Sequence, residues 1–254
     1  MSEPRRAATV MVLRPTADGR DVEVLFVRRN ARASFMANAY VFPGGRVDDA
    51  DAEGGPELAS QRCAARELCE EAGLTVADPG ELVYFARWVT PSAEPKRFDA
   101  DFFLWAMPPE QEPRVDAQEV FDLRWYTPAA ALAEYVEGGL NLPPPTACTL
   151  EDLQAEVAQV LVTAMAPGAL LPALLQRSAA RRPLPILPRL CPDESGGLQI
   201  VLPWDPHFAT LPGEGEPAAG LAQAAAPVPS RISRCTLAPP GVWRIQRLQG
   251  EPAK

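Results

Sequence analysis

Residues 66–74 read Arg66-Glu67-Leu68-Cys69-Glu70-Glu71-Ala72-Gly73-Leu74. A helical pattern runs over residues 57–72, and Gly73 is placed to end it, because glycine enters the left-handed region at no steric cost. At about 100° per residue, Glu67, Glu70 and Glu71 share one face of that helix. Leu58, Ala65, Leu68, Cys69 and Ala72 fall on the other side and are expected to pack against a sheet, which makes Cys69 a core residue. Arg66 lies beside Glu70 at i, i+4. Like charges at this spacing repel by roughly 0.2–0.5 kcal/mol per pair. A solvated acidic face tolerates that repulsion. A divalent cation supplies a second reason for the arrangement, since hard oxygen ligands suit Mg²⁺ or Mn²⁺.

Upstream stands Val41-Phe42-Pro43-Gly44-Gly45-Arg46-Val47-Asp48. Pro43 and the two glycines make a tight approach free of side chains, where backbone groups can face a phosphate or a metal. Alone, such a run is most often only a turn.

Composition narrows the classes. The chain has 254 residues, 47% of them hydrophobic, enough for one large domain or one domain with an extension. No stretch approaches the roughly 20 apolar residues of a membrane helix. Residues 1–15 hold neither a long apolar run nor a secretory cleavage site, and the terminal Pro252-Ala253-Lys254 is not a peroxisomal address. The chain therefore reads as cytoplasmic. Its five cysteines form no C-x-x-C pair and His207 is the one histidine, which argues against a zinc site and against histidine-based nucleophilic catalysis. A net charge of −9 argues against nucleic acid and anionic membrane as partners. It leaves room for a small anionic substrate, because metal ions and the local arginines Arg28, Arg29, Arg32 and Arg46 reverse the field within one cleft.

Strands are expected at 7–14, 22–28, 81–89, 98–106 and 120–126, and helices at 128–137 and 149–164. The latter opens on Thr149 with Asp152 three residues on, like a capping box. Residues 178–192 are rich in Arg and Pro. A short strand is expected at 198–203, a flexible Ala/Gly/Pro loop at 212–229, and a closing hairpin from 231–237 and 242–247.

The two motif pieces together resemble the Nudix box, G-x5-E-x7-R-E-U-x-E-E-x-G-U, with U a bulky apolar residue. Arg66, Glu67, Leu68, Glu70, Glu71, Gly73 and Leu74 match every specified position of its second half. The spacing departs: Gly45 and Arg66 are 21 positions apart where the pattern has 14, so residues 48–58 hold an insertion. The first glutamate of the box has no clean equivalent; Glu57 is nearest, with Glu53 the other candidate. The insertion, together with Phe42-Pro-Gly-Gly-Arg-Val-Asp48, Ala86-Arg-Trp-Val-Thr-Pro91, Arg97-Phe-Asp99, Glu119 before Trp125, and Pro144-Pro-Thr146, is similar to the branch containing the peroxisomal coenzyme A diphosphatases. The resemblance covers about residues 5–160.

The resemblance implies an α/β fold, an α/β/α sandwich around a mixed sheet, here over residues 1–178 with a C-terminal extension at 179–254. It implies that Glu67, Glu70 and Glu71 bind Mg²⁺ or Mn²⁺ with the Gly44 carbonyl, that Arg66 holds a glutamate in place, and that Glu70, Glu71 or Glu119 takes the proton of an attacking water. Arg28, Arg29 and Arg32 are candidates for holding a 3′-phosphate through bidentate contacts, with Arg46 beside them. Arg97 and Asp99 are candidates for binding substrate or for pairing with each other. The reaction implied is hydrolysis of a diphosphate, with coenzyme A or its acyl esters preferred over ADP-ribose, dinucleotides or nucleoside triphosphates. A non-catalytic nucleotide sensor is the third reading, disfavoured because a binder need not keep three repelling carboxylates. The extension is expected to cover a sheet edge, build a homodimer interface or lid the cleft.

Overall fold

The computed structural model describes residues 3–30, 36–53, 55, 58–115, 120–163, 168–193, 195–213, 231–238 and 241–247. Its first sheet has seven strands: β1 (Arg5–Pro15), β2 (Val22–Arg29), β3 (Tyr40–Val41), β4 (Gly44–Arg46), β5 (Val83–Val89), β6 (Phe98–Ala106) and β7 (Val120–Tyr126). The order along the main path is β3-β2-β1-β6-β5, with β4 paired to β1 and β7 to β2. β1 and β6 run parallel; the other pairs are antiparallel, so the sheet is mixed.

Alternation along β1 divides the core. Val10 and Val12 point to one face, where α1 (Ala59–Ala72) lays down Ala64, Leu68 and Ala72. Met11 and Leu13 point to the other, where they meet α2 (Pro128–Glu137), α3 (Pro144–Leu161) and α4 (Leu170–Ala179) through Leu132, Leu153 and Leu174. Helices on both faces explain why β2 is buried on both sides along most of its length. The architecture is the expected α/β/α sandwich.

The C-terminal part forms a four-stranded antiparallel sheet, ordered β11-β10-β9-β8, from β8 (Arg189–Pro192), β9 (Leu198–Val201), β10 (Ile232–Ala238) and β11 (Val242–Arg247). It is docked rather than loosely appended. Leu202, Ile232 and Cys235 are buried in the same core as Tyr135 and Leu150. Arg231 donates to Asp152 at 2.7 Å, the Ile232 N–H donates to Glu151 at 2.8 Å, and the Tyr135 hydroxyl donates to the Trp243 carbonyl at 2.5 Å. Ahead of this sheet, Ile186 bonds to both Arg87 and Val89 and so covers the outer edge of β5, where open backbone groups would otherwise invite pairing.

Three expectations change. The third helix starts at Pro144, not Thr149, because proline fits the first turn of a helix. Thr149 is thus fully buried inside α3 and accepts a 3.0 Å hydrogen bond from the Trp88 indole instead of capping. α4 and β8 lie where no element was expected. The Pro-Gly-Gly run is not only a turn, since Gly44–Arg46 forms β4. Most of the expected flexible loop at 212–229 lies outside the described residues. Among the described residues, no helix is long and apolar enough to cross a membrane.

Candidate active site

The loop ahead of β4 is strapped to β1. Thr9 Oγ1 donates to the Phe42 and Pro43 carbonyls at 3.1 and 2.7 Å, and the Val10 N–H donates to the Pro43 carbonyl at 2.9 Å. Gly44 meets backbone and needs to be glycine, whereas Gly45 leaves room for the side chain of Glu67. A Cβ on Gly44 would sit 2.4 Å from the Ala8 carbonyl oxygen, and one on Gly45 would sit 2.3 Å from the Glu67 carboxylate carbon. The carboxylate of Glu67 thus fills the space that Gly45 leaves.

α1 presents its glutamates to this loop. Glu71 is only 7% exposed and its Oε2 accepts a 2.9 Å bond from the Gly44 N–H. Glu70 faces outward, with 60% of its side chain exposed. Arg66 stands among them. Its Nη1 lies 2.8 Å from Glu67 and 3.4 Å from Glu70, and its Nη2 donates to the Arg46 carbonyl at 3.1 Å. The resemblance implied that Arg66 holds a glutamate; the geometry gives it Glu67 and Glu70 together.

The strongest partner of Arg66 was missed from the sequence. Asp51 is 4% exposed and accepts two bonds from Arg66, 3.1 Å from Nε and 2.9 Å from Nη2. Its Oδ2 also accepts the Asp48 N–H at 2.9 Å, across a single 3₁₀ turn over Asp49–Ala52. Burial pushes the Asp51 carboxyl up, but the Arg66 guanidinium and the Asp48 N–H outweigh it and leave it below the usual carboxylate range. In return, the bond to Asp51 raises the pKa of Arg66 further. The signal was in the spacing: Asp51 is six positions after Gly45, the place the box gives its first glutamate. A shorter carboxylate stands there, so neither Glu53 nor Glu57 is needed. Glu53 is exposed, and Glu57 lies outside the described residues.

Cys69 is exposed, against the expectation of a core residue. The strap carrying β4 covers the Glu67 and Glu71 side of α1, which turns Cys69 and Glu70 toward solvent. Cys63 takes the buried place, within 3.6 Å of the Gly45 carbonyl, and burial pushes its thiol up to about 12.

The candidate substrate residues are scattered around this centre. Arg28 is exposed, 3.3 Å from the Asn38 side chain and over the Tyr40 ring. Arg46 is exposed and paired with Asp48 at 3.0 Å. Arg97 donates to the Thr90 carbonyl at 3.1 Å. Asp99 is held by Arg87 through two bonds of 2.7 and 2.5 Å. Arg32 and Glu119 lie outside the described residues.

A hard divalent cation fits the donor set in kind: three carboxylates on one helix beside backbone carbonyls of a glycine pair. Among the described residues, no three His, Cys, Asp or Glu side chains converge closely enough to hold an ion. Arg66 binds one carboxylate oxygen of Glu67 and one of Glu70 and so fixes how the two side chains are presented.

Comparisons with known proteins bear on the family and the fold. The pattern described as the NUDIX domain matches residues 3–142. The chain is 29% identical over 158 residues to a Caenorhabditis elegans protein named as nudix hydrolase 7, covering 48% of this chain and 52% of that one. It is 22% identical over 219 residues to the acyl-coenzyme A diphosphatase NUDT19 of Xenopus laevis, covering 49% and 58%. The chain thus spans about half the length of the curated relatives it matches. Among solved structures, a NUDIX hydrolase from Alicyclobacillus acidocaldarius superimposes with a TM-score of 0.56 at 27% identity, over 68% of this chain and 96% of that one. The box residues, the sandwich that carries them and these matches place the chain in the Nudix family.

Proposed function

We propose that this chain is a Mg²⁺- or Mn²⁺-dependent diphosphatase that cleaves coenzyme A or an acyl-coenzyme A into 3′,5′-ADP and (acyl)phosphopantetheine. Nudix hydrolases as a family act on small nucleotide-type substrates with divalent metal ions. The observation that carries the reading is the fit of the Glu67 carboxylate into the space left by Gly45, with Glu71 bonded to Gly44 alongside. Similarity to the acyl-coenzyme A diphosphatase supports the substrate class.

Glu67, Glu70 and Glu71, with the Gly44 carbonyl, would hold the cation. When bound, it neutralises the diphosphate oxygens and lowers the pKa of an attacking water. The chain's own groups divide the remaining work. Arg66 keeps Glu67 and Glu70 apart and oriented. Glu71 is committed to the Gly44 N–H, whereas the exposed carboxylate of Glu70 is open to water and is the better placed to accept its proton. Arg28 and Arg46 are exposed and would exchange their surface partners, Asn38 and Asp48, for substrate phosphates.

The test is a panel of coenzyme A, acetyl-coenzyme A, ADP-ribose, NADH and a diadenosine polyphosphate, incubated with Mg²⁺ and read by product mass. The reading expects 3′,5′-ADP from the two coenzyme A compounds. Cleavage confined to other members would keep the chemistry and discard the substrate. Cleavage of none, with Mg²⁺ or Mn²⁺, would contradict the reading.

A further inference from the structure

We propose that Arg62 is a positioning residue for the active site and that the box insertion is the part through which it acts. The inference rests on the metal-dependent reading above. Arg62 lies one helical turn before Arg66 on α1, so the two guanidiniums reach out beside each other. Nη1 of Arg62 donates to the Asp51 carbonyl at 3.2 Å and to the Gly55 carbonyl at 3.0 Å. Arg66 takes the side chain of the same Asp51 through two bonds.

All four polar positions of Asp51 are therefore engaged. Its N–H donates to the Asp48 carbonyl at 3.1 Å, its carbonyl accepts from Arg62, and its two carboxylate oxygens accept from Arg66 and the Asp48 N–H. The box pattern has no residue in the role of Arg62. The box pattern puts seven residues between its first acidic residue and its arginine; here 14 lie between Asp51 and Arg66. Here the connection is longer, and a longer loop leaves its residues freer. Arg62 ties the Asp51 carbonyl within the 3₁₀ turn and the Gly55 carbonyl beyond it back to α1. The bonds then run from Arg62 to Asp51, from Asp51 to Arg66, and from Arg66 to Glu67. Release of the first link lets Arg66, which bonds Glu67 beside Gly45, follow Asp51 away from the glutamates.

The experiment compares the full chain with Arg62→Ala and Arg62→Lys. Mn²⁺ binding is measured without substrate by electron paramagnetic resonance. Diphosphate cleavage is measured with coenzyme A as a function of Mg²⁺. Removal of a group that orients metal ligands typically costs about 10–100-fold in affinity or activity. Arg62→Ala is expected to weaken Mn²⁺ binding and to lower kcat, each by about tenfold, while KM stays within about twofold. Arg62→Lys, whose ammonium can still donate to both carbonyls, is expected to recover most of both losses. If Arg62→Ala does not fold, Arg62→Met, which keeps an unbranched stem and has no donor, carries the same expectations. Parental Mn²⁺ affinity and kcat in the alanine variant, or in the methionine variant if it stands in, would overturn the proposal alone. A parent chain that binds no Mn²⁺ would overturn the metal reading and this proposal with it.

Discussion

At the scale of single residues, the site depends on space and charge at a few positions. Gly45→Ala is expected to lower Mg²⁺-dependent turnover by about tenfold or more, because the new Cβ would occupy the place of the Glu67 carboxylate. The check is kcat against Mg²⁺ alongside a melting curve; parental turnover would show that Glu67 need not lie against the glycine. Asp51→Asn removes the charge facing Arg66. Loss of one partner of a buried pair costs about 3–5 kcal/mol, and about 2–3 kcal/mol is expected here because Arg66 still reaches solvent. The pH dependence has a definite sign. The folded pKa of Asp51 is depressed, so its contribution is fully present above the unfolded value of about 3.9 and is lost as pH falls through the lower folded value. Denaturant titrations should find the gap between parent and Asp51→Asn widest above about pH 4 and closing below it. A gap independent of pH would remove the charge from the explanation.

At the scale of elements, legibility followed how local the cause was. α1 was readable because its apolar period, its motif and its terminal Gly73, at φ 65°, all lie within the helix itself. Where the buried face of α1 ends was not readable, because β4 decides it from outside: Leu68 and Ala72 are buried as expected, Cys69 is not. β3 and β4, with two and three residues, exist through pairing with β2 and β1 and carry no periodicity of their own. The start of α3 was hidden by Pro143-Pro144-Pro145, which reads as a loop although proline suits a first helical turn. α4 was hidden in the same way by Pro172 near its start. Asp51 was missed because a glutamate was sought where a shorter acid stands. Thr149 now has a different task, joining α3 to β5 through the buried Trp88 indole. Thr149→Val keeps the shape but leaves that N–H without its partner. It should cost about 1–3 kcal/mol in denaturant titration with kcat unchanged. An unaltered midpoint would mean that the bond adds nothing to the join.

At the scale of the whole molecule, the C-terminal strands share a core with the sandwich. Leu202, Ile232 and Cys235 are buried against residues of α2 and α3, and Glu151 and Asp152 of α3 bind Arg247, Ile232 and Arg231 across the join. Each large apolar side chain uncovered costs about 1.5–3 kcal/mol. A chain ending at residue 180 is therefore expected to lose several kcal/mol of stability, read as a lower denaturant midpoint. An unchanged midpoint would make the second sheet an independent unit. Beyond the sandwich, the sequence showed only strand-like patches here. Their docking depends on carboxylates of a helix far away in the chain.

The most direct test of the account compares 3′,5′-ADP release from coenzyme A by the parent chain, Glu70→Gln and Glu71→Gln at saturating Mg²⁺, with folding checked by circular dichroism. Each variant is predicted to keep its fold and to lose at least about 100-fold in kcat, because a neutral amide neither binds the cation as a carboxylate does nor accepts a proton. Parental turnover in both variants would contradict the assignment of the α1 carboxylates to the chemistry.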